Sequence, residues 1–188
     1  LGLLAWLTRG LHIDGLADVG DGLGSGRHGE AALEVMRQPT VGALGATTLL
    51  FVVLVQASAL ADATAAGLGP GSVLLAVMTG RVAIVIGCAT GVPAARSDGL
   101  GAAVAGTVPR VVVAAWVLLL VGVAAVAADL SGALDRSGAL WSVGVGLLVS
   151  LAVLGRCVRR LGGVTGDVLG ACCEAATAGT LVALALLG

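Results

Sequence analysis

Asp14, Asp18 and Asp21 stand four and then three residues apart in LHIDGLADVGDGLGSGRHGEAALE, residues 11–34. In a helix, at about 100° per residue, that spacing gathers the three carboxylates into an arc of roughly 60°. Like charges on one face repel, by a few tenths of a kcal/mol per exposed pair and by more where water is scarce, so a positive group is expected between them. Oxygen ligands without a His/Cys cluster suit a hard divalent cation, and Mg²⁺ held by carboxylates usually completes its shell with water and substrate phosphate. Gly20, Gly22, Gly24 and Gly26 let the backbone turn sharply and bring N–H groups near an anion. A solvated acidic loop with a glycine hinge is the plainer reading of the same residues. Helical register beside an apolar span favours the metal site.

Two further polar segments carry arginines. In VPAARSDGLGAAVAGTVPR, Arg96 and Arg110 suit bidentate phosphate binding as well as simple anchoring at a membrane face. In GRCVRRLGGVTGDVLGACCEAATAG, a continued helix puts Arg156, Arg159 and Arg160 on one face, and a glycine-rich turn then delivers Asp167 to a helix N-terminus, which attracts anions. Glu174 follows Asp167 by seven residues, on the same face and about 10 Å further along the axis. A buried acid there needs a partner. Arg81, near the middle of its own apolar segment, is expected to pair with Glu174 or to meet a substrate phosphate. His12 falls on the helical face opposite the aspartates, as a hydrogen-bonding group or base and not a metal ligand, and His28 reads as a solvated loop residue.

Positioning these groups requires a membrane fold. Of the 188 residues, 58% are hydrophobic and 11% charged, with mean hydropathy +1.08, far from the composition of soluble domains. With 31 glycines and 2% aromatics, helices are expected to pack through small residues, as at Ala57-x-x-x-Ala61 or Gly42-x-x-x-Ala46. A formal net charge of −1 leaves no basic patch for nucleic acid. Cys88, Cys157, Cys172 and Cys173 lack C-x-x-C spacing and read as small core residues. The expected architecture is all-α, a polytopic transmembrane helix bundle. Its full spans cover residues 41–61, 71–91, 111–128, 139–155 and 168–187, preceded by the tail of a partial span at 1–8, as if an N-terminal part were missing. A short interfacial helix over 29–37 is expected to end before Pro39.

The arginines sort by side. Arg9, Arg27, Arg37, Arg96, Arg110, Arg156, Arg159 and Arg160 fall in three polar segments on one side, whereas only Arg136 lies in the two turns on the other. The positive-inside rule then puts the arginine-rich segments, and the candidate chemistry, in the cytoplasm. Charges gathered at one face favour an enzyme over a transporter, whose polar groups concentrate near the midplane.

The motifs LHIDGLADVGDGLGSG, ARSDGLGAAVAG and RRLGGVTGDVLGA, in this order and separated by hydrophobic spans, resemble the cobalamin synthase family, adenosylcobinamide-GDP ribazoletransferase. The likeness covers essentially the whole chain. Two departures are the absent N-terminal part and Gln38, Pro39 and Thr40 where the family often has a charged Asp-Ser-Arg-type stretch. The resemblance implies one integral-membrane catalytic domain over residues 1–188 of a cell inner membrane protein, with active-site loops facing the cytoplasm. Implied too are Mg²⁺, adenosylcobinamide-GDP and α-ribazole or its 5′-phosphate as substrates, and GMP as product; a homo-oligomer is left open.

On that reading Asp14, Asp18, Asp21 and Asp167 are the catalytic and metal-binding set, with Asp167 in the metal shell or acting as the base. Arg96, Arg159 and Arg160, together with Arg27, Arg81, Gly24 and Gly26, form the substrate-binding set. The alternatives are another Mg²⁺-dependent membrane phosphotransferase or prenyltransferase acting on a diphosphate, or a small transporter. The CDP-alcohol phosphotransferase pattern, D-G-x₂-A-R followed by G-x₃-D-x₃-D, does not match, because Asp14-Gly15 leads to Ala17-Asp18 with no later D-x₃-D.

Overall fold

A computed structural model describes residues 1–187. Among them the regular structure is entirely helical: α1 (Gly2–Leu7), α2 (Leu11–Gly24), α3 (Glu30–Met36), α4 (Ala43–Ala65), α5 (Gly69–Gly87), α6 (Gly99–Val104), α7 (Arg110–Ser131), α8 (Arg136–Leu161) and α9 (Gly166–Leu187). Five of these, α4, α5, α7, α8 and α9, are long and apolar enough to cross a membrane. The partial first span appears as the six-residue α1. It turns into α2 through Arg9 and Gly10, both at positive φ.

The bundle is built around α9, which packs on α8, α5, α2 and α4. In its apolar window 78% of residues are buried, against 17% in α4 and in α7, so the last helix is the core and those two present side chains to lipid. Small residues let neighbours approach α9 closely, at Gly170, Ala171, Ala176 and Gly179. A Cβ placed on Gly179 would lie 3.1 Å from the Cα of Gly146 on α8. The close packing therefore falls on α8 and α9, while Ala46, Ala57 and Ala61 of the two expected small-residue motifs are exposed. All four cysteines are buried and free.

Several helix boundaries depart from expectation, with α4 running on to Ala65 and α5 ending at Gly87, and two further differences bear on the site. The fourth span continues through Arg156, Arg159 and Arg160 to Leu161, capped by Gly162 at φ 90°, so the polar loop before α9 shrinks to four residues, 162–165. The segment after α5 folds a short helix, α6, inside what reads as an irregular loop. Both changes serve one end of the bundle. There Val164 pairs with the chain before α6, its N–H donating to Pro93 O (2.9 Å) and its carbonyl accepting from Ala95 N (3.0 Å). Gly29 N donates to Arg160 O at 2.8 Å, which ties the α2–α3 loop to the end of α8. At the opposite end the α4–α5 and α7–α8 turns share a core of Ala63, Leu68, Ala128 and Leu134.

Candidate active site

The acidic helix α2 buries Leu16, Ala17 and Val19 and leaves Asp14 and Asp18 on its open side. It crosses the start of α9 at contact distance. A Cβ on Gly15 would lie 2.7 Å from both Cα and O of Asp167, so only glycine allows α2 to bring its acids to that helix end. Thr165 shapes the turn: its hydroxyl donates to Asp167 Oδ2 (3.1 Å) and accepts from Val168 N (3.2 Å). This leaves Asp167 in the first turn of α9, where the helix dipole favours an anion.

The result is a concentration of negative charge with little to oppose it. The Asp18 carboxyl is pushed up to about 6, first by burial and then by Asp167, Asp14 and Asp21, with the Arg96 guanidinium pulling the other way. A cleft of about 340 Å³ opens beside these groups, lined by Asp14, Arg96, Asp98, Thr165 and Asp167. Arg96 is half-built into the protein. Its Nη2 donates to Leu33 O (3.1 Å), while its Nε is buried without a partner. A guanidinium that lines a cleft shared with carboxylates is suited to a phosphate oxygen that bridges the two.

Asp21 is placed differently from its two helical neighbours. Its oxygens accept from the backbone N–H groups of Gly42 (2.7 Å) and Gly45 (2.8 Å), which cap the start of α4 from another helix. A Cβ on Gly45 would lie 2.6 Å from Ala17 O and 2.8 Å from Asp21 Cγ. The shared arc of the sequence is thus divided: Asp14 and Asp18 face the cleft region and Asp21 clamps α2 to α4.

The candidate substrate-binding residues also separate. Arg160 Nη2 donates to Arg27 O (3.0 Å) with its Nε buried and unpartnered, so it fastens the α2–α3 loop. Arg27 and Arg159 are exposed and do not line the cleft. Gly24 packs against Leu44, and Gly26 turns the loop at φ +74° in open space. Arg81 lies deeper. Its Nη1 is 3.0 Å from His12 Nδ1 and donates to Cys173 Sγ at 3.0 Å. Glu174, its expected partner, instead accepts from Gln56 (2.9 Å) and lies 3.8 Å from His12 Nδ1. Burial and then Arg81 push the His12 imidazole down, which keeps it neutral near pH 7. Asp98, Thr165 and Gln56 went unmarked in the sequence; for Gln56 the signal was present, an amide inside an apolar span.

A family model described as cobalamin-5-phosphate synthase matches residues 1–185. A relative from Frankia casuarinae named adenosylcobinamide-GDP ribazoletransferase is 48% identical over 194 residues, covering 98% of this chain and 68% of its own length. Proteins of the same name from a Nocardioides species and from Chlorobaculum parvum are 43% and 40% identical, over 98% and 89% of this chain and 70% and 64% of theirs. No solved structure matches the chain.

Proposed function

This chain belongs to the cobalamin-5-phosphate synthase family, and we propose that it joins adenosylcobinamide-GDP to α-ribazole or its 5′-phosphate with release of GMP. It is a transferase of the last assembly step of cobalamin. A ribose hydroxyl oxygen forms a bond to the phosphorus nearer cobinamide, the bond from that phosphorus to the bridging oxygen breaks so that the oxygen leaves with GMP, and the hydroxyl proton passes to a carboxylate of the cleft. Such a reaction needs alignment and charge neutralisation more than covalent help from the protein.

One observation carries the site assignment: Asp14, Arg96 and Asp167, from three segments far apart in the chain, line one cleft, and the charges of all three act on Asp18 beside it. Mg²⁺ fits this donor set, which is all oxygen and so crowded that Asp18 is held at about 6. Asp14, Asp18 and Asp167 would hold the ion, whose chemistry is to neutralise diphosphate charge. Arg96, which lines the cleft, would bind a phosphate oxygen through its guanidinium. Asp21 is assigned to positioning through the start of α4. Arg160 keeps the α2–α3 loop seated, while Arg27 and Arg159 offer positive charge outside the cleft. The arginine-rich segments face the cytoplasm of the cell inner membrane by the positive-inside rule.

The test is direct. The chain in proteoliposomes receives adenosylcobinamide-GDP, α-ribazole and Mg²⁺, and the expected products are the joined corrinoid and an equal amount of GMP. No GMP release, or release that is indifferent to α-ribazole, would overturn the assignment.

A further inference from the structure

The acidic cleft holds a carboxylate with no role so far. Asp98 lines it together with Asp14, Arg96 and Asp167, and backbone packing fixes its place. Before it, the chain pairs with the α8–α9 turn, where Val164 N donates to Pro93 O (2.9 Å) and Val164 O accepts from Ala95 N (3.0 Å). After it, a Cβ on Gly101 would lie 2.6 Å from both the Cα of Thr165 and the carbonyl oxygen of Val164, so only glycine lets α6 sit this close. The segment is therefore clamped on either side of Asp98 to the turn that delivers Asp167. Arg96 stands two residues earlier on the same segment, held by its bond to Leu33 O (3.1 Å).

The Asp98 side chain forgoes the bond its position offers. It stands at the N-cap of α6, where an aspartate ordinarily accepts from the first N–H groups of the helix. Asp135 has the same place on α8 and the same extended backbone, and it does accept, from Gly138 N at 2.7 Å. Asp98 makes no such bond. Nor, among the described residues, does it form an ion pair with Arg96 or any other cation. The remaining acids are committed. Asp21 is taken by the N–H groups of Gly42 and Gly45, and Asp14, Asp18 and Asp167 form the crowded group whose lone pairs a cation would take up. His12 also lines the cleft, but both its ring nitrogens lie within 3.4 Å of Arg81 Nη1, a donor that engages the imidazole lone pair.

We propose that Asp98 is the catalytic residue that accepts the proton of the attacking ribose hydroxyl. The inference rests on the transferase reading above. As the hydroxyl oxygen bonds to the phosphorus nearer cobinamide, its O–H bond breaks and the proton passes to an Asp98 carboxylate oxygen. The bridging oxygen leaves with GMP and keeps the electron pair of the broken P–O bond. The protonated Asp98, exposed at the mouth of the cleft, then returns its proton to water. Arg96 and Asp98 thus place phosphate binding and proton acceptance on one clamped segment, which aligns the two reacting groups.

The experiment measures GMP release in proteoliposomes by the wild-type chain, Asp98→Asn and Asp98→Ala, with each substrate and Mg²⁺ varied in turn. Both variants are expected to lower kcat by about 100-fold or more, with KM for either substrate and the Mg²⁺ concentration for half-maximal rate within about twofold of wild type. Formate, a carboxylate small enough for the space the side chain leaves, should restore part of the rate of Asp98→Ala and leave the wild type unchanged. Thermal unfolding in detergent should give Asp98→Asn the wild-type midpoint. Wild-type kcat in Asp98→Asn overturns the proposal, as does an effect confined to KM for α-ribazole, which would mark a binding group. A raised Mg²⁺ requirement overturns it in favour of a metal ligand, and a lowered midpoint without rescue by formate in favour of a structural role. Absence of GMP release from the wild-type chain overturns the transferase reading and this proposal with it, whereas an active wild type matched by both variants overturns the proposal alone.

Discussion

Where α7 turns into α8, polar groups settle with near neighbours. Arg136 makes a bidentate pair with Asp129, seven residues away, at 2.7 and 2.6 Å. Asp135 caps α8 by accepting from Gly138 N three residues on (2.7 Å). At the other end of the bundle Arg37 also pairs locally, with Glu30 seven residues away (2.8 Å), but the contacts that hold the acidic helix and its loops in place are long. Asp21 reaches Gly45 across 24 residues, Arg96 reaches Leu33 across 63 and Arg160 reaches Arg27 across 133. Local pairing closes a turn and gives each of these groups a partner. Long-range fastening holds a scaffold around acids that are left facing one another, and uncompensated like charge is what a cationic or phosphate-bearing ligand would relieve.

The sharpest way to break this contrast is to neutralise one acid at each end. Asp18→Asn is expected to lower turnover by about 100-fold or more while the protein still inserts and folds, whereas Asp129→Asn leaves turnover unchanged. Wild-type rates of GMP release in Asp18→Asn would refute its part in the site.

Next comes the α2–α4 clamp. Gly45→Ala places a methyl group against Ala17 O and the Asp21 carboxylate and is expected to destabilise by about 1–3 kcal/mol with a fall in turnover. Gly144→Ala, on an open face of α8 with nothing within 4 Å, should be neutral or slightly stabilising. Thermal unfolding in detergent compares the two, and equal midpoints would show that Asp21 does not hold α2 in place.

Asp18 also sets a pH dependence. With its carboxyl at about 6 against an ordinary 3.8, it loses a proton late, so turnover should fall as pH drops below about 6. Arg96→Ala removes the charge that opposes this shift, and the acid limb of its residual activity should move to higher pH. For stability the sign is reversed: the folded chain binds the proton more tightly than the unfolded one, so this contribution is complete below 3.8 and is lost as pH rises through about 6. Metal-free protein should therefore lose stability from this group across that window, and Asp18→Asn should flatten the slope.

The smallest effect belongs to the far end. Asp135→Ala removes the cap of α8 and should lower stability by about 1 kcal/mol with no change in turnover. A loss of activity there would mean that the two ends are coupled more tightly than their separate cores suggest.

Hydropathy and periodicity are properties of a few neighbouring residues, and what depends on them was legible in the chain itself. The five spans, the helical register of Asp14, Asp18 and Asp21, the short helix ending at Met36 and the burial of all four cysteines follow from local pattern. Only the tertiary structure decided where each carboxylate sits. Asp14, Asp18 and Asp21 are chemically alike and share one arc, and the backbone N–H groups of Gly42 and Gly45, more than twenty residues away, take the third of them. The same holds for Glu174, which finds Gln56 from another helix, and for Gly15, whose missing side chain matters because Asp167 lies against it. A polar group's partner is set by which helices touch and how closely, and in a membrane that depends on small residues meeting across the bundle, which no single segment specifies.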